Sequence, residues 1–194
     1  MVQDIKSALR PALALTVGFA LLLGLLYPLA MTGIGQVLFP AQANGSLIRN
    51  ENGTVIGSAL IGQNFTSDAY FRGRPSAAGD GYDAMASSGS NLGPGAKALT
   101  ERVQGDIATL GTSPEGSIPP DLVTTSASGL DPHISPEAAF LQASRVAAAR
   151  GIPAVQVRGL AEALVERPLL GFIGEPRVNV LLLNIALDRT AARP

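Results

Sequence analysis

Between Arg10 and Arg49 this chain carries no charged residue, and Pro11 to Phe39 is almost wholly apolar. Coiled as an α-helix, such a segment would extend roughly 43 Å at 1.5 Å per residue. The hydrocarbon core of a bilayer is about 30 Å thick, so the segment can span with tilt or with one end among the headgroups. No other window is comparably apolar, and this one explains a mean hydropathy of +0.28 in a chain with only 5% aromatic residues. The expectation is a single crossing, over residues 11–38.

A cleaved leader is the rival reading. Lys6 and Arg10 would form its basic region and Ala41-Gln42-Ala43 its small-x-small cleavage site. A leader's apolar region runs about 7–15 residues, roughly half of what is present here, and the anchor reading follows. No basic residue follows the helix until Arg49. The positive-inside rule therefore puts residues 1–10 in the cytoplasm and residues 39–194 outside it.

That outer portion holds 12 Lys and Arg against 14 Asp and Glu, with no basic stripe, which leaves nucleic-acid binding without a footing. The absence of cysteine excludes disulfide staples in a compartment that would permit them. A portion of this length can bury a core without them.

Inside the span, Ala14/Gly18 and Ala20/Gly24 are small-xxx-small pairs. They would let a second helix approach closely, or they reflect the abundance of Gly and Ala in membrane helices. Pro28 lacks a backbone donor and predicts a kink, while Gly33 and Gly35 loosen the outer end.

Past the span, Ser46–Asn50 and Thr54–Ile56 flank Glu51-Asn52-Gly53, the pattern of a β-hairpin turning on Asn-Gly. From Gly57 to Pro94 the chain is rich in Gly, Ser, Asn and Pro and reads as loops, with Phe65, Tyr70, Phe71 and Tyr82 to bury. Leu99, Val103, Ile107 and Leu110 predict a helix within 94–110, stopped over 111–120. Ser135-Pro136-Glu137 combines a cap, a first-turn proline and an acid that complements the dipole, and opens a helix that should end at Gly151. A second helix is expected over 153–166, and Val178 to Leu187 reads as a buried strand. The fold class is one transmembrane helix plus an extracytoplasmic α+β domain.

Ser126, Ser128, Asp131, His133 and Ser135 crowd one short stretch, and His133 is the one histidine. A nucleophilic triad needs Ser, His and acid to converge in space beside an oxyanion hole, which sequence neighbours seldom achieve. The same residue types serve turns and caps at Asp131-Pro132 and Ser135-Pro136. One histidine and no cysteine exclude the usual zinc sets, and Asp80 and Asp83 lack a calcium-loop pattern. Gly89–Pro94 is glycine-rich but lacks the Gly-Lys-Ser/Thr ending of a phosphate loop. Arg72 and Arg74 either meet an anion or partner, or are solvated and salt-bridged.

Taken in order, the motifs closely resemble one family, KdpC, the C chain of bacterial potassium-transporting P-type ATPases. The matching stretches are 39–47 (FPAQANGSL), 57–65 (GSALIGQNF), Tyr70-Phe71, Arg74–Ala77 and Gly89-Ser90-Asn91-Leu92. They continue with Val123-Thr124, Ser126–Asp131, Arg145-Val146-Ala147, Val178-Asn179 and Leu183–Asp188. Ser88 departs from the pattern, where the family often has glycine. The resemblance implies a non-catalytic accessory subunit of a high-affinity potassium import complex in the bacterial inner membrane. Its partners would be a channel-like potassium-binding subunit, the P-type ATPase subunit and a small one-helix subunit. ATP and K+ would be bound by the complex, with no cofactor belonging to this chain. The family is described as needed for assembly and as raising the ATPase subunit's affinity for ATP through a transient ternary complex. Direct contact with ATP sits badly with a domain outside the cytoplasm. The residues expected to meet partners are Phe65, Tyr70, Phe71, Arg72, Arg74, Ser90 and Asn91, with Ala14, Gly18, Ala20 and Gly24 packing in the membrane. The alternative function is a membrane-tethered extracytoplasmic serine hydrolase using Ser126 or Ser128 with His133.

Overall fold

The computed structural model describes residues 2–110 and 117–191. It divides into two units, Met1–Leu47 and Ile48–Pro194.

The first unit is a long helix. Helix α1, Val2–Leu21, passes through a π turn, Leu22–Leu26, into α2, Tyr27–Leu38. Gln3–Leu38 is the one helix among the described residues that is long and apolar enough to cross a membrane, and none of its most apolar window is buried. The helix starts earlier than the expected Pro11, so Lys6 and Arg10 ride on it. The π turn is the response to Pro28. An uninterrupted α-helix would aim the Gly24 carbonyl at a proline that has no N–H and whose ring crowds it. Instead the ladder widens one turn earlier, with Tyr27 N–H donating to the Leu22 carbonyl. Gly33 and Gly35 stay helical. The extended Phe39 ends the helix, and a single turn, α3 (Pro40–Ala43), follows.

The second unit begins with the expected hairpin, β1 (Leu47–Arg49) against β2 (Val55–Ser58). Asn50 closes its turn, its Oδ1 accepting from the Asn52 and Thr54 N–H groups while Gly53 takes φ 77°. Helix α4, Lys97–Leu110, starts slightly inside its expected window; the stop expected over 111–120 lies largely outside the described residues. Helix α5, Pro136–Arg150, has the predicted ends: Ser135 Oγ accepts from Ala138 N–H, and Gly151 adopts φ 67°. Helix α6, Ala154–Ala163, follows. Ala138, Ala139, Ala143 and Ala147 on α5 let Val157 and Ala161 of α6 pack closely.

The strand expected over Val178–Leu187 is corrected. Only Arg177–Asn179 (β5) is extended, and Val180–Ala191 is helix α7. A continuous Val/Leu/Ile run suits a buried strand or a buried helix equally. Here Asn179 Oδ1 accepts from Leu182 N–H and caps the helix. Val180, Leu183, Asn184 and Leu187 then turn one helical face into the core. β5 is the middle of a three-stranded antiparallel sheet between β3 (His133–Ile134) and β4 (Val165–Glu166), with His133 opposite Asn179 and Glu166 opposite Arg177. One N-terminal apolar helix followed by a mixed domain of helices and small sheets is the observed architecture.

Candidate functional site

In the helix of the first unit, Ala14, Gly18 and Ala20 lie on α1 and Gly24 within the π turn, all exposed. A Cβ placed on Gly18 or Gly24 meets nothing within 4 Å. No described atom crowds either glycine, so the face with Ala14 and Gly18 and the separate face with Ala20 and Gly24 are each open to another helix.

In the second unit, the loop carrying the aromatic and arginine residues is clasped between two helices. Phe71 is fully buried and gives its N–H to Asn184 Oδ1 (2.9 Å), while Asn184 Nδ2 donates to the Phe71 carbonyl (2.9 Å). One residue on, Arg72 N–H donates to Gln142 Oε1 (2.8 Å), and Gln142 Nε2 returns a bond to the Arg72 carbonyl (3.1 Å). Asn184 comes from α7 and Gln142 from α5, and their amides imitate the neighbouring strands that this extended segment lacks. Arg145 donates to the Asp68 and Tyr70 carbonyls, and Arg150 donates to the Ala69 carbonyl and to Asp188. Arg150 also lies 4.7 Å over the Tyr70 ring, whose hydroxyl donates to Asp188. Burial and the nearby Arg72 charge lower the Arg145 pKa.

Of the residues expected to meet partners, Phe71 is therefore core. Phe65 and Tyr70 stack at 5.5 Å and are half-buried. Arg72 pairs with Asp68 at 2.7 Å. Arg74 is a structural cross-brace, bonded to Asp131 (3.1 Å) and to the Thr124 and Thr125 carbonyls. Asn91 is exposed, in the left-handed conformation, next to a half-buried Ser90.

Around Arg74 lies an open depression of about 820 Å³, lined in part by Asp121, Asp131, His133, Glu137 and Arg177. His133 Nδ1 sits 3.5 Å from Asp131, and its Nε2 3.9 Å from Glu166 across the sheet. Asp131's burial would raise its pKa, but hydrogen bonds from His133 and the charge and hydrogen bond of Arg74 outweigh it and lower the value. Beneath it, Tyr82 donates to the Arg74 carbonyl (2.7 Å), and burial together with Asp131 pushes its pKa up to about 12.

The serines of this region are spent on the backbone. Ser126 Oγ accepts from Gly129 N–H, Ser128 Oγ from Leu130 N–H, and Ser135 Oγ caps α5 while donating to Asp121. Gly129, at φ 68°, is required here: a Cβ would fall 2.6 Å from the Ser88 carbonyl oxygen. The chemistry is that of turns and caps, which does not favour the hydrolase reading. Among the described residues no group of three or more His, Asp and Glu is placed to hold a metal.

Two features escaped the sequence reading. The amides of Gln142 and Asn184 are signalled only by being polar within apolar helical faces. The tip Leu169–Ile173 exposes large apolar side chains in a Gly- and Pro-bounded loop, a pattern visible in the sequence.

The family model described as KdpC, K+-transporting ATPase, c chain, matches residues 9–189. A protein of Caulobacter vibrioides (strain NA1000 / CB15N) is 61% identical over 183 residues, covering 94% of this chain and 93% of its own. A Myxococcus xanthus protein is 55% identical, covering 94% and 88% respectively. One from Bradyrhizobium diazoefficiens is 54% identical, covering 95% and 98%. All three carry the name potassium-transporting ATPase KdpC subunit.

Proposed function

Because the chain belongs to the KdpC family, the c chain of the K+-transporting ATPase, we propose that it is the non-catalytic accessory subunit of a high-affinity potassium pump, needed for the assembly of that pump. The observation that carries the reading is a family match over residues 9–189, from the apolar helix into α7, with the most apolar window of that helix unburied. A long apolar helix with an exposed surface is suited to meeting another helix in lipid. The partners are the channel-like potassium-binding subunit, the P-type ATPase subunit and the small one-helix subunit. Lys6 and Arg10 at its start favour a cytoplasmic N-terminus, with the helix in a bacterial inner membrane and the domain on its outer side.

The non-catalytic reading is supported by the occupation of Ser126, Ser128 and Ser135 in backbone bonds. In this topology the domain cannot reach nucleotide on the opposite side. Any rise in the ATP affinity of the ATPase subunit is transmitted through packed membrane helices, as a coupling between two states of the complex. A tag on this chain should co-purify a P-type ATPase and a polytopic partner, and deletion of the chain should abolish potassium-dependent ATP hydrolysis. Unimpaired assembly and uptake without the chain would overturn the proposal.

A further inference from the structure

The segment between β4 and β5 folds back on itself as a small hairpin. Leu169 and Ile173 exchange both backbone hydrogen bonds, at 3.2 and 3.0 Å. Leu169, Leu170, Phe172 and Ile173 are exposed by 69, 76, 75 and 52%. Elsewhere in this unit Met85 and Val155 stand singly, and Val55-Ile56 and Leu60-Ile61 are exposed only as pairs. Four in five consecutive positions is a patch, and patches mark interaction sites.

Leu170 adds a second observation. It is held at φ 56°, a left-handed conformation that a leucine adopts only at a cost of roughly 1–2 kcal/mol. Glycine or asparagine would make the same turn without that cost. Inside a core the packing of the side chain could offset the strain, but this side chain is in solvent. The side chain is therefore retained for something outside the domain.

We propose that the Leu169–Ile173 tip inserts into the lipid headgroup layer, giving the domain a reversible second hold on the bilayer. The proposal goes beyond the subunit role and rests on the Gln3–Leu38 helix spanning the membrane. Three features favour lipid over a protein groove. The tip offers four side chains, where a specific protein interface uses about 20–30 residues on each side. Arg167 is exposed at its neck, where a guanidinium meets lipid phosphates, while Arg177 is held by Glu166 at 2.9 Å. The bilayer is also the apolar phase that the chain carries with it.

The chain has no tryptophan, so Phe172→Trp creates a single tryptophan, excitable apart from the three tyrosines, at an exposed position. In the full-length chain, reconstituted alone into vesicles of phosphatidylethanolamine and phosphatidylglycerol, its emission should be quenched by lipids spin-labelled at the headgroup and protected from acrylamide. Adding Leu170→Asp, also at an exposed position, should abolish the lipid quenching and restore acrylamide access. Protease accessibility checks separately that the helix spans. Acrylamide quenching without lipid quenching in a spanning chain overturns the proposal. So does protection that arises only once the other pump subunits are present, which would assign the tip to a protein.

Discussion

Asn184 of α7 grips both backbone polar groups of Phe71, 113 residues away in sequence, at 2.9 Å each. Neither partner is accessible to water, so no solvent molecule can replace these bonds. The pair ties the last helix of the chain to a loop that has no strand or helix of its own.

Asn184→Leu keeps the branched outline of the side chain and removes both bonds, leaving a buried N–H and a buried carbonyl unsatisfied. At about 1–3 kcal/mol for each of the two unsatisfied groups, the expected loss is about 2–6 kcal/mol. For a domain of this size that corresponds to a fall in Tm on the order of 10 °C. Thermal denaturation followed by circular dichroism measures it. A fall of only one or two degrees would mean that the loop is held by the arginines instead.

The Arg74–Asp131 brace makes stability depend on acid. Asp131's folded pKa lies below its ordinary 3.8, so the unfolded chain takes up the proton first. Its contribution is fully present above the ordinary value and is lost as pH falls through the lowered folded value. Asp131→Asn should therefore be less stable than the parent at neutral pH and lose less on acidification. Urea titrations at a series of pH values between neutrality and the acid limb would detect the change of slope. Parallel pH profiles for the two proteins would discard the brace as an acid-sensitive element.

Tyr82 behaves in the opposite sense. Burial and Asp131 hold its phenol neutral up to about 12, so the fold disfavours its ionisation and loses stability as pH rises above 10. Ultraviolet titration of tyrosinate should show a component near 12 that vanishes in Tyr82→Phe. Its persistence in the variant would assign it to another of the three tyrosines.

Much of the fold could be read from local chemistry. The apolar helix, the Asn-Gly hairpin and the Ser135 cap with its Gly151 stop depend on residues close in sequence, and each stands where the residues placed it. The failures share a physical cause. Val178–Leu187 is apolar but for Asn179 and Asn184, too uniform for its period to separate strand from helix, and the capping oxygen of Asn179 decided for a helix. The clasp on Phe71 and Arg72 depends on amides 113 and 70 residues distant, and no spacing rule pairs them. Phe71 read both as a residue to bury and as a partner contact, because an aromatic in a polar loop looks the same whether it faces a partner or its own core. For the KdpC-like motifs Tyr70-Phe71 and Leu183–Asp188, the clasp supplies a reason that the motif alone does not: the two stretches hold each other.

The small residues of the membrane helix give the sharpest test of the proposed role. Enlarging Gly18 or Gly24 to leucine meets no atom of this chain within 4 Å at the new Cβ, and leucine is a better helix former than glycine. Either variant should therefore insert and fold normally, and the domain's Tm should not move. If a partner helix packs against the face of the replaced glycine, the added side chain holds the backbones apart and removes close van der Waals contact. A loss of about 1–2 kcal/mol in helix association corresponds to a fall on the order of tenfold in the fraction of ATPase subunit recovered through a tag on this chain. Val17→Leu, outside the small-residue pairs, serves as the control and should leave recovery unchanged. Undiminished recovery with both glycines replaced would mean that the chain docks by another face of the helix or by its domain alone.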